Sequence, residues 1–172
     1  MALGAAAVFA LLPAACQESR AKTSSPFDGP SGLSTVTVTR ITDGDTVVIV
    51  RGGSEAIVRL IGVNAPERDE CFFGKSTNHL IEALEGVTVE IEDLGTDQFG
   101  RTLAYLWADA RLVNLELVAG GWAIATTPGE AETYGQEILD AEREAVETSA
   151  GLWAADACGP AEEIPKIDIS VA

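Results

Sequence analysis

Polar and apolar residues alternate along the first part of the sequence that has a folded pattern. Residues 34–41 (STVTVTRI) alternate with a period of two and are rich in β-branched side chains, which is typical of a half-buried strand. Glycine-containing turn signals then separate further short apolar runs. Strands are predicted over residues 34–41, 46–51, 56–63, 87–91 and 102–107.

Helical spacing is found in three segments. Residues 76–85 carry apolar side chains three and four positions apart, with Gly86 where a C-cap glycine is expected. A short helix is predicted to end at Gly120, and a longer one covers residues 132–148. Five strands and three helices predict an α+β fold, a small closed β-barrel with helices packed on it. The inward face of the last helix is predicted to consist of Ile138, Leu139, Ala141, Ala145 and Val146.

The composition fits one compact domain with small extensions. Hydrophobic residues make up 47% of the 172 residues, which is enough for a sizeable core. The 11 basic and 27 acidic side chains give a net charge of −16, which excludes a large basic coat for nucleic acid and a polybasic membrane clamp. The single histidine, His79, argues against Ser-His-Asp catalysis and against a metal site with several histidines.

The N-terminal residues indicate export. Residues 2–15 are uniformly apolar or small, which is too short for a membrane span but suits the hydrophobic region of a signal peptide. The LLPAAC sequence that ends at Cys16 resembles a bacterial lipoprotein signal in which this cysteine is lipidated, and a simple signal peptide is the alternative. A secreted protein or a cell-envelope lipoprotein is therefore expected. The predicted organisation is a signal over residues 1–16, a flexible linker over 17–32, the folded domain over 33–158 and an acidic tail over 159–172.

Export makes a disulfide bond possible. If Cys16 is lipidated or removed, Cys71 and Cys158 remain as a pair. Their bond would close a loop of about 87 residues, which chain-entropy models make worth roughly 4 kcal/mol. The alternative is two unpaired buried thiols.

Two short stretches place charged side chains close together or inside an apolar segment, where they need a counter-charge or a bound cation. Asp43-Gly44-Asp45 puts two carboxylates on one tight turn, which suits a hard cation such as Ca²⁺, although an ordinary Asp-Gly hairpin turn has the same pattern. Arg59 lies inside an apolar strand and needs a counter-charge. Glu67 is either its structural ion-pair partner or a base that faces an anion-binding arginine.

A third stretch, Asp97-Gln98-Phe99-Gly100-Arg101, reads alone as a glycine turn with an exposed arginine. Taken with the other two stretches, it completes a set of two arginines, one glutamate and an acidic cation site. Phosphodiester hydrolysis needs these groups, because cations and guanidinium groups stabilise charge on phosphate oxygens and a carboxylate or metal activates water.

Four sequence blocks resemble, in order and spacing, the thermonuclease (staphylococcal-nuclease-like) family. The resemblance covers residues 34–155 and implies a five-stranded OB-type β-barrel with three packed helices. It also implies a Ca²⁺-dependent endonuclease that cuts DNA and RNA to 3′-phosphate products. The blocks are DGDTVVI, VRLIGVNAPE, DQFGRTLAYLWADARLVNLELVAGGWA and AEREAVETSAGLW.

Matching positions carry the family's roles onto this chain. The resemblance implies that Arg59 and Arg101 clamp the phosphate and that Glu67 acts as general base or positions the attacking water. It also places cysteines of secreted relatives at Cys71 and Cys158, which supports the disulfide bond. The implied Ca²⁺ site contains Asp45, the Ala65 carbonyl, Asn64 and, through water, Asp43.

The chain also departs from the family pattern. Asn64 stands where the best-known members have Asp, so weaker Ca²⁺ binding is expected. Gln98 stands where some members have Lys, and residues 126–128 replace aromatics that stack on the nucleotide.

The expected protein is an exported, monomeric nuclease that acts on DNA and RNA, preferably single-stranded, and that meets membranes only through its lipid anchor. The alternative is an OB-fold nucleic-acid-binding module with weak or no turnover. A structural envelope lipoprotein that collects divalent cations is a third, weaker reading.

Overall fold

A closed β-barrel forms the centre of the computed structural model, which describes residue 30, residues 33–126 and residues 133–159. Within these residues, five long strands build the barrel, one two-residue strand extends its sheet, and two further two-residue strands pair in a separate small sheet. The strands are β1 (Ser34–Ile41), β2 (Thr46–Arg51), β3 (Ser54–Leu60), β4 (Val63–Asn64), β5 (Thr88–Thr96), β6 (Thr102–Ala108), β7 (Arg111–Leu112) and β8 (Ile124–Ala125).

Antiparallel pairing joins the long strands in the order β3, β2, β1, β5 and β6. A parallel pairing between β3 and β6 then closes the barrel, with Arg59 opposite Leu103. The closure confirms the predicted five-stranded OB-type α+β fold. It also brings the end of β3 beside the start of β6, which are the segments of the two candidate arginines.

Three α-helices in the described part of the chain pack on the barrel. They are α1 (Phe73–Leu84), α2 (Val113–Ala119) and α3 (Gly135–Thr148), and a 3₁₀ turn follows at Gly151–Trp153. The core consists of the inward side chains of the strands together with one face of each helix, including Leu80, Leu117 and Ile138. No helix in the described part of the protein is long and apolar enough to cross a membrane.

The third strand differs from its prediction. It was expected over residues 56–63, but β3 ends at Leu60 because Gly62 adopts a φ of +76°, which turns the chain out of the strand. Val63 and Asn64 then pair with β8 in a second, two-stranded sheet. This break directs Asn64 and Ala65 towards the turn that follows β1.

The helices are confirmed with two corrections. Helix α1 begins at Phe73 rather than residue 76, after Phe72 in a left-handed conformation. Val146 was predicted to face inward, but it is 46% exposed because the buried stripe of α3 follows Ile138, Ala141 and Ala145. Residue 132, the predicted start of α3, lies outside the described residues, as do the predicted signal and most of the linker and acidic tail.

The disulfide bond between Cys71 and Cys158 is present, with a Cα–Cα distance of 5.5 Å. The alternative of two free thiols is therefore wrong. Lys75 Nζ donates a hydrogen bond to the Ala157 carbonyl at 2.9 Å and lies over the Phe72 ring. The segment after the 3₁₀ turn is thus held against the beginning of α1.

Candidate active site

The turn between β1 and β2 presents a buried carboxylate. Asp45 is only 5% exposed, and its own N–H donates to Asp43 Oδ1 at 3.2 Å, which fixes the two acidic residues relative to each other. Asp45 Oδ2 accepts the Ala65 N–H at 2.7 Å, and Oδ1 accepts the Thr46 hydroxyl at 3.0 Å. The turn of the first hairpin and the segment after β4 are therefore joined through one side chain.

Arg59 provides the charge opposite this carboxylate. Its Nη1 lies 3.1 Å from Asp45 Oδ1, and the same nitrogen donates to the carbonyls of Leu60 and Val63. Its Nη2 donates to Asn64 Oδ1 at 3.1 Å. Arg59 thus fastens the chain reversal that follows β3 onto the Asp45 turn.

The counter-charge of Arg59 is Asp45 and not Glu67. Among the described residues, no hydrogen bond or ion pair joins Glu67 to either candidate arginine, so the structural Arg59–Glu67 ion pair considered from the sequence is wrong. Nε and the second hydrogen of Nη2 of Arg59 have no hydrogen-bond partner within the described part of the chain. These donors are available to an anion.

Burial raises the pKa of Asp45 from its ordinary 3.8 to about 6, although the charge of Arg59 and the Ala65 N–H act in the opposite direction. One arginine therefore does not fully compensate the charge of this carboxylate. A second cation in the same pocket would favour the ionised form.

The turn is also pressed closely against α1. A Cβ placed on Gly44 would come 2.0 Å from Ser76 Oγ and 2.6 Å from Ala65 Cβ, so glycine is needed at this position. Ser76 is completely buried, and its hydroxyl has no hydrogen-bond partner in the described region. Helix α1 therefore packs directly against the acidic turn through Ser76.

Arg101 lies immediately before the neighbouring strand, β6. Leu103 is opposite Arg59 in the parallel ladder, so standard strand spacings put the Cα atoms of Arg59 and Arg101 about 8 Å apart. Asp97 holds Arg101 twice, by accepting its backbone N–H at 2.9 Å and its Nε–H at 2.7 Å. Neither Nη group of Arg101 has a hydrogen-bond partner in the described part of the chain.

The loop that carries Arg101 is a tight turn. Gly100 adopts a φ of +82°, and Asp97 Oδ1 accepts the Phe99 N–H at 2.9 Å. Burial raises the pKa of Asp97, but hydrogen bonds from Arg101 and Phe99 outweigh this effect and hold the pKa below its ordinary value. Asp97 is thus ionised and fixes the direction of the guanidinium group.

Glu67 lies on the surface two residues after Ala65. Pro66, which is buried, directs the chain outward, and the exposed carboxylate of Glu67 has no partner in the described part of the protein. Glu67 is therefore accessible to solvent, two residues along the chain from Ala65.

The oxygen atoms around Asp45 fit a hard divalent cation. Within the described residues no group of three or more His, Cys, Asp or Glu side chains is arranged to hold a metal, so any site must use neutral oxygens as well. Asp45 Oδ2 and Asn64 Oδ1 each accept one hydrogen bond and keep a second lone pair, and the Ala65 carbonyl adds a backbone oxygen. Carboxylate, amide and carbonyl oxygens are the ligands that Ca²⁺ accepts.

The structure brings most of the predicted site residues together. Asp43, Asp45, Arg59, Asn64 and Ala65 form one cluster of hydrogen bonds and an ion pair. Arg101 lies just before the adjacent strand, and Glu67 follows the cluster on the surface.

Three supporting residues were missed by the sequence analysis. Thr46 bonds Asp45, Asp97 holds Arg101, and the fully buried Asn114 binds the Leu106 N–H and the carbonyls of Ile61 and Ala104. The four-residue spacing between Asp97 and Arg101 is a signal that could have indicated that pair. The role of Asn114 depends on contacts between distant strands, and the sequence carries no local sign of it.

Comparisons with known proteins agree with this geometry. The family model described as "Staphylococcal nuclease homologue" matches residues 57–155, which is more than half of the chain. The chain is 31% identical over 140 residues to the thermonuclease of Staphylococcus intermedius, covering 77% of this chain and 81% of that protein. It is 30% identical over 145 residues to the thermonuclease of Staphylococcus hyicus, covering 76% and 84%.

A further relative is an uncharacterized endonuclease of Haemophilus influenzae, 33% identical over 121 residues, with 70% of this chain and 66% of that protein covered. The matched region includes the second half of β3 with Arg59, the Glu67 turn and the Arg101 loop. The chain belongs to the staphylococcal nuclease family.

Proposed function

We propose that this chain is an exported, Ca²⁺-dependent endonuclease that hydrolyses phosphodiester bonds of DNA and RNA and leaves 3′-phosphate products. The family supports a hydrolase that acts on nucleic acid and uses a divalent cation. The single observation that carries the proposal is the cluster of Asp45, Arg59, Asn64 and Ala65, with Arg101 just before the adjacent strand and its Nη groups without a hydrogen-bond partner in the described residues.

The proposed cation is bound by Asp45, Asn64 and the Ala65 carbonyl, with Asp43 acting through water. When bound, it neutralises charge on a phosphate oxygen. Ca²⁺ is favoured because every donor is an oxygen, the ligand atom that this hard cation accepts. The neutral amide predicts a weaker site than one with Asp at the same position.

The arginines act on the phosphate itself. Arg59 donates from Nε and Nη2, and Arg101 donates from both Nη groups, so the two guanidinium groups stabilise the charge that grows on the equatorial oxygens. Asp97 keeps Arg101 oriented before substrate arrives, which avoids reorganisation during the reaction.

Glu67 accepts a proton from the attacking water, or orients that water, on the exposed side of the pocket. The water oxygen forms a bond to phosphorus while the bond between phosphorus and the 5′ oxygen breaks in line. The leaving oxygen takes up a proton from solvent. This displacement has no covalent enzyme intermediate, and the phosphate stays on the 3′ oxygen.

Single-stranded substrate is proposed because it reaches a small surface pocket without melting a duplex. The net charge of −16 opposes long-range attraction of nucleic acid, and salt screens this repulsion. Thr126 is half-buried, and residues 127 and 128 lie outside the described part of the chain. The expected loss of base stacking at these positions therefore stays a prediction.

The test is cleavage of single-stranded DNA by the full chain with Ca²⁺ or with chelator. Cation-dependent cleavage that leaves 3′-phosphate ends, and that is lost in Glu67→Gln and Arg101→Ala, supports the proposal. Arg111→Ala is the matched control, because Arg111 forms an exposed ion pair with Glu116 away from the pocket. Cleavage that persists in chelator contradicts the cation requirement.

One observation favours the alternative of a binding module without turnover. The cation pocket contains Asn64, whose side-chain oxygen already accepts Arg59. Binding of single-stranded DNA without cleavage at millimolar Ca²⁺ would decide for the module. Restoration of cleavage by Asn64→Asp would identify the neutral amide as the cause.

The N-terminal assignment is a separate proposal. Residues 1–16 act as an export signal, residues 17–32 as a linker, residues 33–158 as the nuclease domain and residues 159–172 as an acidic tail, and Cys16 carries the lipid anchor. Cys16→Ala should release the protein from membranes, and continued attachment contradicts lipidation. Sedimentation of the released protein should show a monomer.

A further inference from the structure

The four residues that follow Pro66 close into a turn through two reciprocal hydrogen bonds. The Glu67 N–H donates to Glu70 Oε2 at 2.7 Å, and the Glu70 N–H donates to the Glu67 carbonyl at 2.8 Å. The Glu70 carboxylate thus satisfies the Glu67 N–H, as the acidic side chain of a capping box does, while the Glu67 carbonyl and the Glu70 N–H satisfy each other through the backbone. Helix α1 begins three residues later, at Phe73.

Both ends of this turn are fixed by other means. Pro66 is buried beside Ala65, which is bound to Asp45. Cys71 is bonded to Cys158. Between these anchors all four residues are exposed, so packing does not determine where the Glu67 side chain points. The Glu70 carboxylate is the side chain that holds the Glu67 backbone within the described residues.

We propose that Glu70 is a positioning residue for Glu67. The inference rests on the proposed function, in which the Glu67 carboxylate activates water at the cation pocket. The bond to Glu70 Oε2 fixes the peptide group from which the Glu67 side chain starts. Since a displacement of about 1 Å at a reacting group can cost on the order of 100-fold in rate, loss of this bond should appear in kcat.

Asp69 provides the matched comparison. It lies in the same turn, carries the same charge and is exposed, but no hydrogen bond of its side chain is present in the described region. A general effect of removing negative charge beside the pocket would appear in Asp69 and Glu70 variants alike. A positioning effect would appear only at Glu70.

The experiment compares Glu70→Ala, Glu70→Gln and Asp69→Ala in the full chain, using a single-stranded oligonucleotide at saturating Ca²⁺. Glu70→Ala should lower kcat about tenfold, with KM and the Ca²⁺ dissociation constant within about twofold of the unmodified protein. Glu70→Gln should keep most of the rate, because its amide oxygen still accepts the Glu67 N–H. Asp69→Ala should leave kcat within about twofold.

Hydrogen exchange of the Glu67 amide supplies a second measurement that does not depend on turnover. Exchange should become faster in Glu70→Ala and stay slow in Glu70→Gln, while the amides of α1 keep their protection. An unchanged kcat in Glu70→Ala, or an equal loss in Glu70→Ala and Asp69→Ala, overturns the positioning role.

The failure of the proposed function looks different. If the unmodified chain does not cleave single-stranded DNA at any Ca²⁺ concentration, the nuclease proposal fails and the proposed positioning role of Glu70 fails with it. If the unmodified chain cleaves and Glu67→Gln is inactive, but Glu70→Ala retains full kcat, only the positioning proposal fails.

Discussion

Arg59 and Asp45 form the central ion pair of the site, with Nη1 3.1 Å from Oδ1. Thr46 is opposite Arg59 in the ladder between β2 and β3, so the carboxylate one residue earlier reaches the guanidinium group directly. The same carboxylate belongs to the proposed cation pocket. Asp45 therefore links the stability of the barrel edge to the binding of a cation, and mutations here should affect both.

Arg59→Gln should destabilise the cation-free protein by about 3 kcal/mol, because Asp45 stays buried without its counter-charge and two carbonyls lose their donor. Urea unfolding measures this cost. Arg111→Gln removes an arginine from an exposed ion pair and should cost less than about 1 kcal/mol. Equal costs would show that the Arg59 contacts contribute no more than a surface pair.

The stability of the cation-free protein should depend on pH through Asp45. Because burial raises its pKa from 3.8 to about 6, the folded protein keeps a proton there that the unfolded chain has already released above pH 4. Stability of the cation-free protein from this group is therefore present below pH 3.8 and is lost as pH rises through about 6.

Cation binding has the opposite dependence, because it needs the ionised carboxylate. The Ca²⁺ affinity should rise about tenfold per pH unit up to about pH 6 and then level. Calorimetric titration with Ca²⁺ at several pH values, from about 4.5 to about 8, measures this dependence of the affinity on pH. Asp45→Asn should remove the dependence together with most of the affinity, and a flat profile for the unmodified protein would argue against Asp45 as a ligand.

Gly44→Ala should destabilise the protein by about 1–3 kcal/mol and weaken Ca²⁺ binding, because the new Cβ meets Ser76 and Ala65. Adding Ser76→Gly should recover part of both losses by removing the nearest atoms. Gly74→Ala is the control, since a Cβ at Gly74 meets nothing within 4 Å. Thermal unfolding with and without Ca²⁺ measures all three, and equal losses in Gly44→Ala and Gly74→Ala would contradict the contact.

Asp97→Ala should lower kcat by about tenfold, because Arg101 loses the carboxylate that orients it. Asp140→Ala, which breaks the exposed pair with Arg143 on α3, should leave kcat unchanged. Steady-state cleavage of single-stranded DNA compares them. Should the Asp97 variant keep full activity, the hydrogen bond to Arg101 Nε has no part in orienting the guanidinium group for catalysis.

Much of the barrel could be predicted because β1 alternates with a period of two and the other strands are short apolar runs, several of them bounded by glycine turns. The break in the third strand could not, since the apolar run continues through Gly62 and only its positive φ shows that the chain turns. Val146 was misplaced for a related reason: helical spacing identifies two candidate faces, and packing against the barrel selects one.

The site residues were found through motifs, but their partners were not. The sequence offered Glu67, eight residues further along the chain, as one possible ion-pair partner of Arg59, whereas the strand register brings Asp45 to it from the turn after β1. The roles of Asn114 and of the Gly44–Ser76 contact also depend on distant segments meeting. Short-range patterns contain the reactive groups, and topology decides which of them touch.

The bond between Cys71 and Cys158 turns most of the domain into a covalent ring, since it joins residues 87 positions apart. Helices α1, α2 and α3 and strands β5 and β6 all lie inside this ring. A protease that cuts one peptide bond anywhere within it leaves the two pieces attached to each other. A first nick would therefore not separate the Glu67 turn from the strand that follows Arg101.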